Sequence, residues 1–536
     1  MSWVVMSSIA PVDNDPKDNA ADDNPAARLY TRIPEVSAAM IKLRIIVFAI
    51  VLLAMGGTLV SLNGCGGTSG GTTPPPPPGK IQHVVVIFQE NRTPDNLFQD
   101  QVLISRGADI AQSAVNSLGQ TIPLSPIDLG TNGSNPQNYD LDHSHTAFVS
   151  MYDGGKMDGA NLVGCSPDAN CPPNAHPNPQ FMYVNPSDVQ PYFALAEQYT
   201  FADRMFQTNQ GPSFPAHQFI ISGTSAPCSQ ALPCPGAGSN LFAAENPKTS
   251  DPPDAGCDAP VGSTVSLIDP TGSETSNAPI YPCFEHQTLT DLLEAKSLTW
   301  RYYAPGISPP TPPIHSAPAI WNGPEAIQHI CGPNATPPNA TACVGADWTN
   351  NVVLDQTQIL NDISNNQLRD VSWVIPSGQA SDHARTNDGS GPSWVASVVN
   401  AIGHSPYWAN TAIFITWDDW GGWFDHVAPP QVLQGANCAQ WGCGYVYGFR
   451  VPLIVVSPYV KAQHISHTQH DFGSILTFIE TTFILPSLGY ADAAADDFSD
   501  CFDFNQTPLT FQTITAPLNA QYFLNDKRPP LDPDDD

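Results

Sequence analysis

Two adjacent carboxylates, Asp418 and Asp419, directly follow an apolar segment over residues 412–417 that is rich in β-branched and aromatic side chains. Such a segment is typical of a strand buried on both faces. Neighbouring carboxylates repel each other and are costly to bury, so at the end of a strand they indicate a cation that neutralises them. Gly421 and Gly422 allow a tight backbone turn beside that cation.

The residues after this turn extend the same interpretation. Asp425 and His426 are predicted to bring a third carboxylate and an imidazole back to the same place, which makes His426 a candidate catalytic residue. The alternative is that the two preceding aspartates are solvated turn residues. An enclosed pocket is favoured by three nearby aromatic residues: Trp420, Trp423 and Phe424. We interpret the segment as one wall of a metal site.

A second apolar segment, His83–Phe88, is followed by Glu90 and Asn91. Both side chains provide oxygen ligands for a hard cation. Ligands of open α/β sheets bind outside the carboxyl ends of the strands, so the two segments converge on one site if they form parallel neighbouring strands. The alternative role, a cap for the following turn, suits Thr93 and Pro94 better.

Ser213 stands two residues before Pro215, at the predicted start of a helix that continues through Ile221. One interpretation is a helix N-cap. The other is a nucleophile, because a helix N-terminus offers free N–H groups and a positive dipole end to a phosphate and stabilises an alkoxide-like oxygen.

Three further histidines are candidate pocket residues. His143 lies in a charged loop and would, taken alone, be a surface residue. His329 belongs to a predicted helix near residues 323–330. His383 follows a predicted strand over residues 371–375, where a histidine is better placed for proton transfer than in a core.

Strand, site residue and helix recur in this order, which predicts an α/β fold with a mainly parallel sheet flanked by helices. Residues 224–350 are rich in Pro, Gly, Asn and Cys and are predicted to be a disulfide-laced insertion. Leaving aside Cys65 and Cys501, the cysteines are predicted to form five short-range disulfides of an oxidising compartment: 165 with 171, 228 with 234, 257 with 283, 331 with 343 and 438 with 443.

Composition and the N-terminal region limit partners and location. The 536 residues carry a formal charge of −31, which argues against a nucleic-acid partner because no basic surface is available to release counterions. Residues 40–65 have the layout of a secretory signal and end in a lipobox-like Leu62-Asn-Gly-Cys65, with a transmembrane anchor as the alternative. Residues 1–39 are then a misassigned start or a disordered extension, and residues 66–80 are a Gly/Thr/Pro linker. We expect an exported bacterial protein. It would be either a cell-envelope lipoprotein, whose lipid anchor contacts the membrane, or a secreted protein. The sequence indicates no protein partner.

Several segments follow one another along the chain: Glu90-Asn91-Arg92, Gly154–Gly159, Ser213-Phe-Pro215, Ser381–His383, Asp418–Val427 and Arg450–Pro458. Together they resemble the phosphoesterase family of bacterial phospholipases C, plant non-specific phospholipases C and related acid phosphatases. The resemblance runs from about Lys80 to Leu485. It implies an alkaline-phosphatase-like α/β/α sandwich, a catalytic domain over residues 81–515 followed by an acidic tail over 516–536, and a metal-dependent phosphoester hydrolase.

The resemblance also implies roles for single residues. Ser213 occupies the place of the nucleophile, His383 that of the group that protonates the leaving oxygen, and His143 and His329 are similar to other pocket histidines. One divalent metal ion, with Ca²⁺, Mg²⁺, Mn²⁺ and Zn²⁺ not distinguished, would be held by Glu90, Asn91, Asp418 and Asp419. The chain departs from the family pattern in having Ala216-His217 where many members have Asn-Arg.

Three functions stay open. A phospholipase C would cleave phosphodiester bonds of phospholipids, whereas an acid phosphatase would hydrolyse phosphomonoesters. Both activities need the same catalytic centre. A lipid-tethered binding protein without turnover is the third. Ser213 beside the metal carboxylates argues against the third, because a binding protein has no use for a nucleophile.

Overall fold

The computed structural model describes residues 79–130, 139–166, 171–173, 175–228, 241–248, 255–269, 271–274, 279–306, 319–432 and 446–530. The predicted signal segment with Cys65, nearly all of the linker and the last six residues of the acidic tail lie outside these ranges, so those assignments stay predictions. Within the ranges, no helix is both long enough and apolar enough to cross a membrane.

The central sheet of the described residues has eight strands. They are β1 (His83–Gln89), β2 (Thr200–Ala202), β3 (Trp300–Tyr303), β4 (Val352–Val353), β5 (Val371–Val374), β6 (Thr411–Trp417), β7 (Leu453–Val456) and β8 (His464–Ser466). Across the sheet their order is β4-β3-β5-β1-β6-β7-β2-β8. Only β7 runs antiparallel to its two neighbours in this sheet. The prediction of a mixed α/β fold with a mainly parallel sheet is confirmed.

The longer helices are α1 (His145–Tyr152), α2 (Gln190–Gln198), α3 (Ser213–Ser222), α4 (Leu289–Ala295), α5 (Gln358–Ser364), α6 (Gly391–Gly403) and α7 (Phe472–Phe483). Shorter helices span Pro94–Leu97, Gln101–Ser105, Gly323–Ala326, Gln328–Cys331, Ala346–Asn351 and Ala520–Asn525. Small strand pairs outside the central sheet join Ser113–Val115 to Thr121–Pro123, Ser125–Ile127 to Met182–Val184, Asp140–Leu141 to Cys165–Ser166, Met205–Phe206 to His470–Asp471, and Phe242–Ala243 to Leu267–Ile268.

Aromatic contacts show how helices cover both faces of the sheet. The Phe88 ring of β1 packs against His217 of α3 and Phe472 of α7. The Trp417 ring of β6 packs against Tyr192 of α2. Phe88 is in register with the residue before Trp417, so the two rings point to opposite faces. The sheet therefore lies between two helical layers.

Three of the predicted disulfides are confirmed: Cys165–Cys171, Cys257–Cys283 and Cys331–Cys343. Cys228 is also disulfide-bonded. Its predicted partner and both cysteines of the fifth pair lie outside the described residues. Cys501 is a buried free thiol, as the pairing prediction left it.

Candidate active site

The carboxyl ends of β1 and β6 bring the predicted metal ligands together. The two strands are parallel neighbours over their whole length. Beyond their ends, the backbone N–H of Asn91 donates a hydrogen bond of 2.8 Å to Asp418 Oδ1. All four predicted ligands are fully buried: Glu90, Asn91, Asp418 and Asp419.

The backbone at this junction is unusually close. Asn91 has a φ of 60° and Gly421 a φ of 62°, both in the left-handed region. A Cβ atom on Gly421 would lie 2.5 Å from the Asn91 carbonyl oxygen. Asparagine tolerates this conformation better than most residues, and glycine alone accepts it without steric cost. The two turns therefore keep Asp418 and Asp419, which follow β6, close to Asn91, which follows β1.

Ser213 is the first residue of α3, and Pro212 occupies the N-cap position. The alternative that Ser213 caps the helix is therefore wrong. Its hydroxyl instead donates toward Asp419 Oδ2 at 3.4 Å. The helix N-terminus thus presents a buried hydroxyl to the carboxylates that follow β6.

His217 lies one helical turn after Ser213 and joins the same group. Its Nε2 is 3.3 Å from Glu90 Oε1. One ligand atom each from Glu90, His217 and Asp418 lies within 4.8 Å of the others. The sequence analysis recorded His217 only as a departure from the family pattern. The spacing of four residues from Ser213 was the signal that it shares the serine's helix face.

Hydrogen bonds orient the His217 ring. The Tyr302 hydroxyl donates to the Trp321 carbonyl at 3.0 Å, so the tyrosine oxygen is left as an acceptor for His217 Nδ1 at 3.3 Å. Nδ1 then carries the hydrogen, and Nε2 directs its lone pair at the carboxylates. Burial lowers the pKa of His217 to about 4, against the opposing charge of Asp418, so the ring is neutral at physiological pH.

Asn91 is oriented in the same way by His143. The His143 Nδ1 contacts the Leu141 carbonyl at 2.8 Å, which leaves Nε2 to accept from Asn91 Nδ2 at 3.0 Å. The Asn91 Oδ1 consequently points away from His143. The structure thus places His143 behind a predicted metal ligand, as a residue that positions it.

The group fits a divalent cation. Asn91 Oδ1 and Asp418 Oδ2 are buried and accept no hydrogen bond from any described residue. Burial by itself would raise the pKa of Asp418, but contacts with the Glu90 carboxyl group and the Ser213 hydroxyl, and the hydrogen bond from the Asn91 N–H, hold it below its ordinary value. Lone pairs of oxygen and nitrogen that face one another at these distances require a proton or a cation between them.

His383 lies near this group, beside His143, with ring centroids 5.8 Å apart. Its Nδ1 contacts the Ala384 carbonyl at 2.7 Å, so Nε2 is the nitrogen that can exchange a proton. Nε2 is buried, forms no hydrogen bond with the described residues, and lies 4.0 Å from Asp140 Oδ2.

Residues at the carboxyl ends of β1 and β6 hold the loop that carries His383. Arg92 donates two hydrogen bonds, of 2.9 and 2.6 Å, to the Asp382 carbonyl. The Asp382 carboxylate accepts from Tyr192 and Trp417, and burial raises its pKa to about 6. This network was not anticipated from the sequence, because its members are distant along the chain.

Two of the predicted catalytic histidines lie elsewhere. His329 is held by Glu285 at 2.7 Å and Asp291 at 3.4 Å, and is not brought to the group around Ser213. His426 contacts Asp95 at 2.7 Å and Asp109 at 2.9 Å. The prediction that Asp425 and His426 lie at the metal site is wrong, because both side chains contact the buried guanidinium of Arg450.

Comparison with known proteins places the chain in a family. Residues 81–486 match the model of the phosphoesterase family, and the chain belongs to that family. It is 23% identical over 482 residues to a non-hemolytic phospholipase C of Pseudomonas aeruginosa, covering 82% of this chain and 60% of the relative. It is 24% identical over 462 residues to the hemolytic phospholipase C of the same organism, covering 79% and 56%. The chain thus spans little more than half the length of these relatives.

A solved structure of a protein in the alkaline phosphatase superfamily from Vibrio parahaemolyticus aligns with 80% of this chain and 72% of its own, at 10% identity and a TM-score of 0.31.

Proposed function

We propose that this chain is a metal-dependent phosphoester hydrolase of the phospholipase C type, which cleaves phosphodiester bonds of phospholipids with Ser213 as the nucleophile. One observation carries the proposal. The Ser213 hydroxyl lies at a helix N-terminus, 3.4 Å from Asp419, beside a buried group of lone pairs that a cation would neutralise. Membership of the phosphoesterase family and the names of the phospholipase C relatives support it.

The proposed cation ligands are Glu90, Asn91, Asp418, Asp419 and, added from the structure, His217. When bound, the cation would screen the phosphate charge and polarise its oxygens. Ser213 attacks phosphorus with the leaving group in line, at the N-terminal end of α3, where the positive end of the helix dipole favours an anion. His383 Nε2 carries the proton that Ser213 loses to the leaving oxygen, and water then releases the phosphoryl group from the serine oxygen, which takes a proton back. His143 acts by holding the Asn91 amide.

The test is turnover of the purified protein on phosphatidylcholine and on a phosphomonoester, with and without a chelator. Release of diacylglycerol that stops with the chelator and returns with metal is the expected result. Hydrolysis of the monoester alone would replace the proposal with an acid phosphatase. No turnover of either substrate with metal restored would favour the binding protein.

Ser213→Ala separates the nucleophile from the rest of the site. We expect a loss of at least about 1,000-fold in kcat, because a nucleophile and its partners act as a unit. Ser397→Ala is the matched control, since Ser397 is a buried helical serine whose hydroxyl donates to the Ser393 carbonyl of its own helix at 2.8 Å. Activity near wild type in the Ser213 variant would overturn the nucleophile assignment.

A further inference from the structure

A second group of metal-binding side chains lies at one edge of the central sheet, just beyond β8. His470, Asp500 and Cys501 place one nitrogen, one oxygen and one sulfur ligand atom within 4.8 Å of one another. His470 and Cys501 are buried, and the Asp500 side chain is 28% exposed. The proposed reaction uses none of the three, and Cys501 is the thiol that no predicted disulfide includes.

The distances in this group match those of a tetrahedral zinc site. Bond lengths of about 2.0–2.3 Å to N, O and S place the ligand atoms of such a site about 3.3–3.6 Å apart. His470 Nε2 lies 3.7 Å from Asp500 Oδ1, and Cys501 Sγ lies 3.4 Å from the same oxygen. A hard cation such as Ca²⁺ or Mg²⁺ prefers oxygen ligands alone, so a thiol and an imidazole favour Zn²⁺.

The surroundings orient His470 as a ligand. Its Nδ1 lies 3.0 Å from Asp496 Oδ2, while its Nε2 faces Asp500 and Cys501 and lies 3.2 Å from the Ser466 hydroxyl. Histidines that bind metals commonly have such a carboxylate on the other ring nitrogen. A fourth ligand is available in His464 Nε2, a buried atom without a hydrogen bond among the described residues, 4.0 Å from Asp500 Oδ2.

We propose that His470, Asp500 and Cys501 bind a zinc-class divalent ion, with His464 or water in the fourth position. The Cys501 thiol loses its proton to solvent when the ion binds. The site would join the residues that follow β8 to the later segment around Cys501. Just before β8, the Lys461 N–H already donates to the Cys501 carbonyl at 2.9 Å. The competing arrangement is a cluster without an ion, in which His470 bonds to the Ser466 hydroxyl and the intact Cys501 thiol donates to Asp500.

The test uses the full chain, stripped with a chelator and reloaded with Co²⁺, whose thiolate complexes show a near-ultraviolet charge-transfer band. Binding is counted by elemental analysis after gel filtration. We expect the band in the wild type and in Asp418→Asn, which alters only the candidate active site. We expect Cys501→Ser to lose both the band and one bound ion, and His470→Gln to lose one ion.

The outcomes separate this site from the proposed active site. A band that survives Asp418→Asn supports the second site even if the hydrolase proposal fails. A wild type that binds Co²⁺ without the band, or a band that persists in Cys501→Ser, overturns it. If Cys501→Ser does not fold, Asp418→Asn provides the test. One bound ion together with the band supports the zinc-class site, and absence of the band refutes it.

Discussion

Two buried groups of carboxylates flank the same loop, and they are neutralised in different ways. Beside Asp425, the charged group is Arg450, whose guanidinium donates to Asp425 at 2.9 Å from two nitrogens and to Asp95 at 3.3 Å. Beside Asp418, the basic group is His217, whose pKa burial lowers to about 4. The first group carries its counter-charge within the chain, and the second is the proposed site of a cation from solution.

The pKa shifts agree with this difference. Burial would lower the pKa of Arg450, but Asp425 and Asp95 hold it above its ordinary value, so the guanidinium stays charged at any accessible pH. A neutral imidazole provides a lone pair instead of a charge. Loss of Arg450 should therefore destabilise the protein whether or not metal is added. Loss of a proposed metal ligand should instead weaken metal binding without lowering the stability of the metal-free protein.

The largest expected effect is on stability. Arg450→Met leaves Asp425 buried without its two guanidinium hydrogen bonds, with His426 as the remaining cation beside Asp95, and should lower the free energy of unfolding by about 3–5 kcal/mol, measured by urea denaturation. Added metal should not restore it. Arg204→Met is the control, because its pair with Asp109 is about one-third exposed and should contribute less than about 1 kcal/mol. Equal losses in the two variants would contradict the comparison.

Asp418→Asn should behave in the opposite way. We expect metal affinity to fall by at least about 100-fold, because a charged ligand of a hard cation is lost. In chelator the variant should be no less stable than the wild type, since one buried carboxylate is removed. Isothermal titration and thermal melting measure the two quantities. Asp425→Asn is the contrasting variant, and it should destabilise the protein with or without metal.

His217→Gln tests the ligand that the structure adds. We expect metal affinity to fall by about ten-fold or more, since an oriented Nε2 lone pair is replaced by a flexible amide. His286→Gln is a matched control at the other end of α3. Its ring is also fully buried, burial lowers its pKa to about 4, and it contacts Ser222 Oγ at 3.0 Å. Equal affinity in the wild type and His217→Gln would remove His217 from the ligand set.

The smallest effect concerns His426. Burial would lower its pKa, but Asp95 and Asp425 raise it to about 9, above its value in the unfolded chain. The charged form therefore stabilises the fold fully below about pH 6.5, and this contribution is lost as the pH rises through 9. His426→Gln should cost about 1 kcal/mol at pH 6 and less at pH 9.5. A pH-independent difference in the urea midpoint would contradict the assignment.

Much of the site was predictable because its signals are local. The apolar strand before Asp418, the strand before Glu90 and the helix that begins at Ser213 each depend on hydropathy and capping within a few residues. Only His217 was missed among residues of this kind, although its spacing from Ser213 indicated it. Its substitution for the family arginine drew attention to substrate contacts and away from the metal.

The sequence by itself determined the two strands that precede the candidate ligands, the start of α3 and the oxygen-bearing residues at those strand ends, because hydrogen bonding and burial select these from neighbouring residues. Only the tertiary structure decided which carboxylate meets which cation. His426 is eight positions from Asp418, yet it pairs with Asp95 across more than 300 residues. Such pairing depends on how distant segments pack, and no local pattern encodes it.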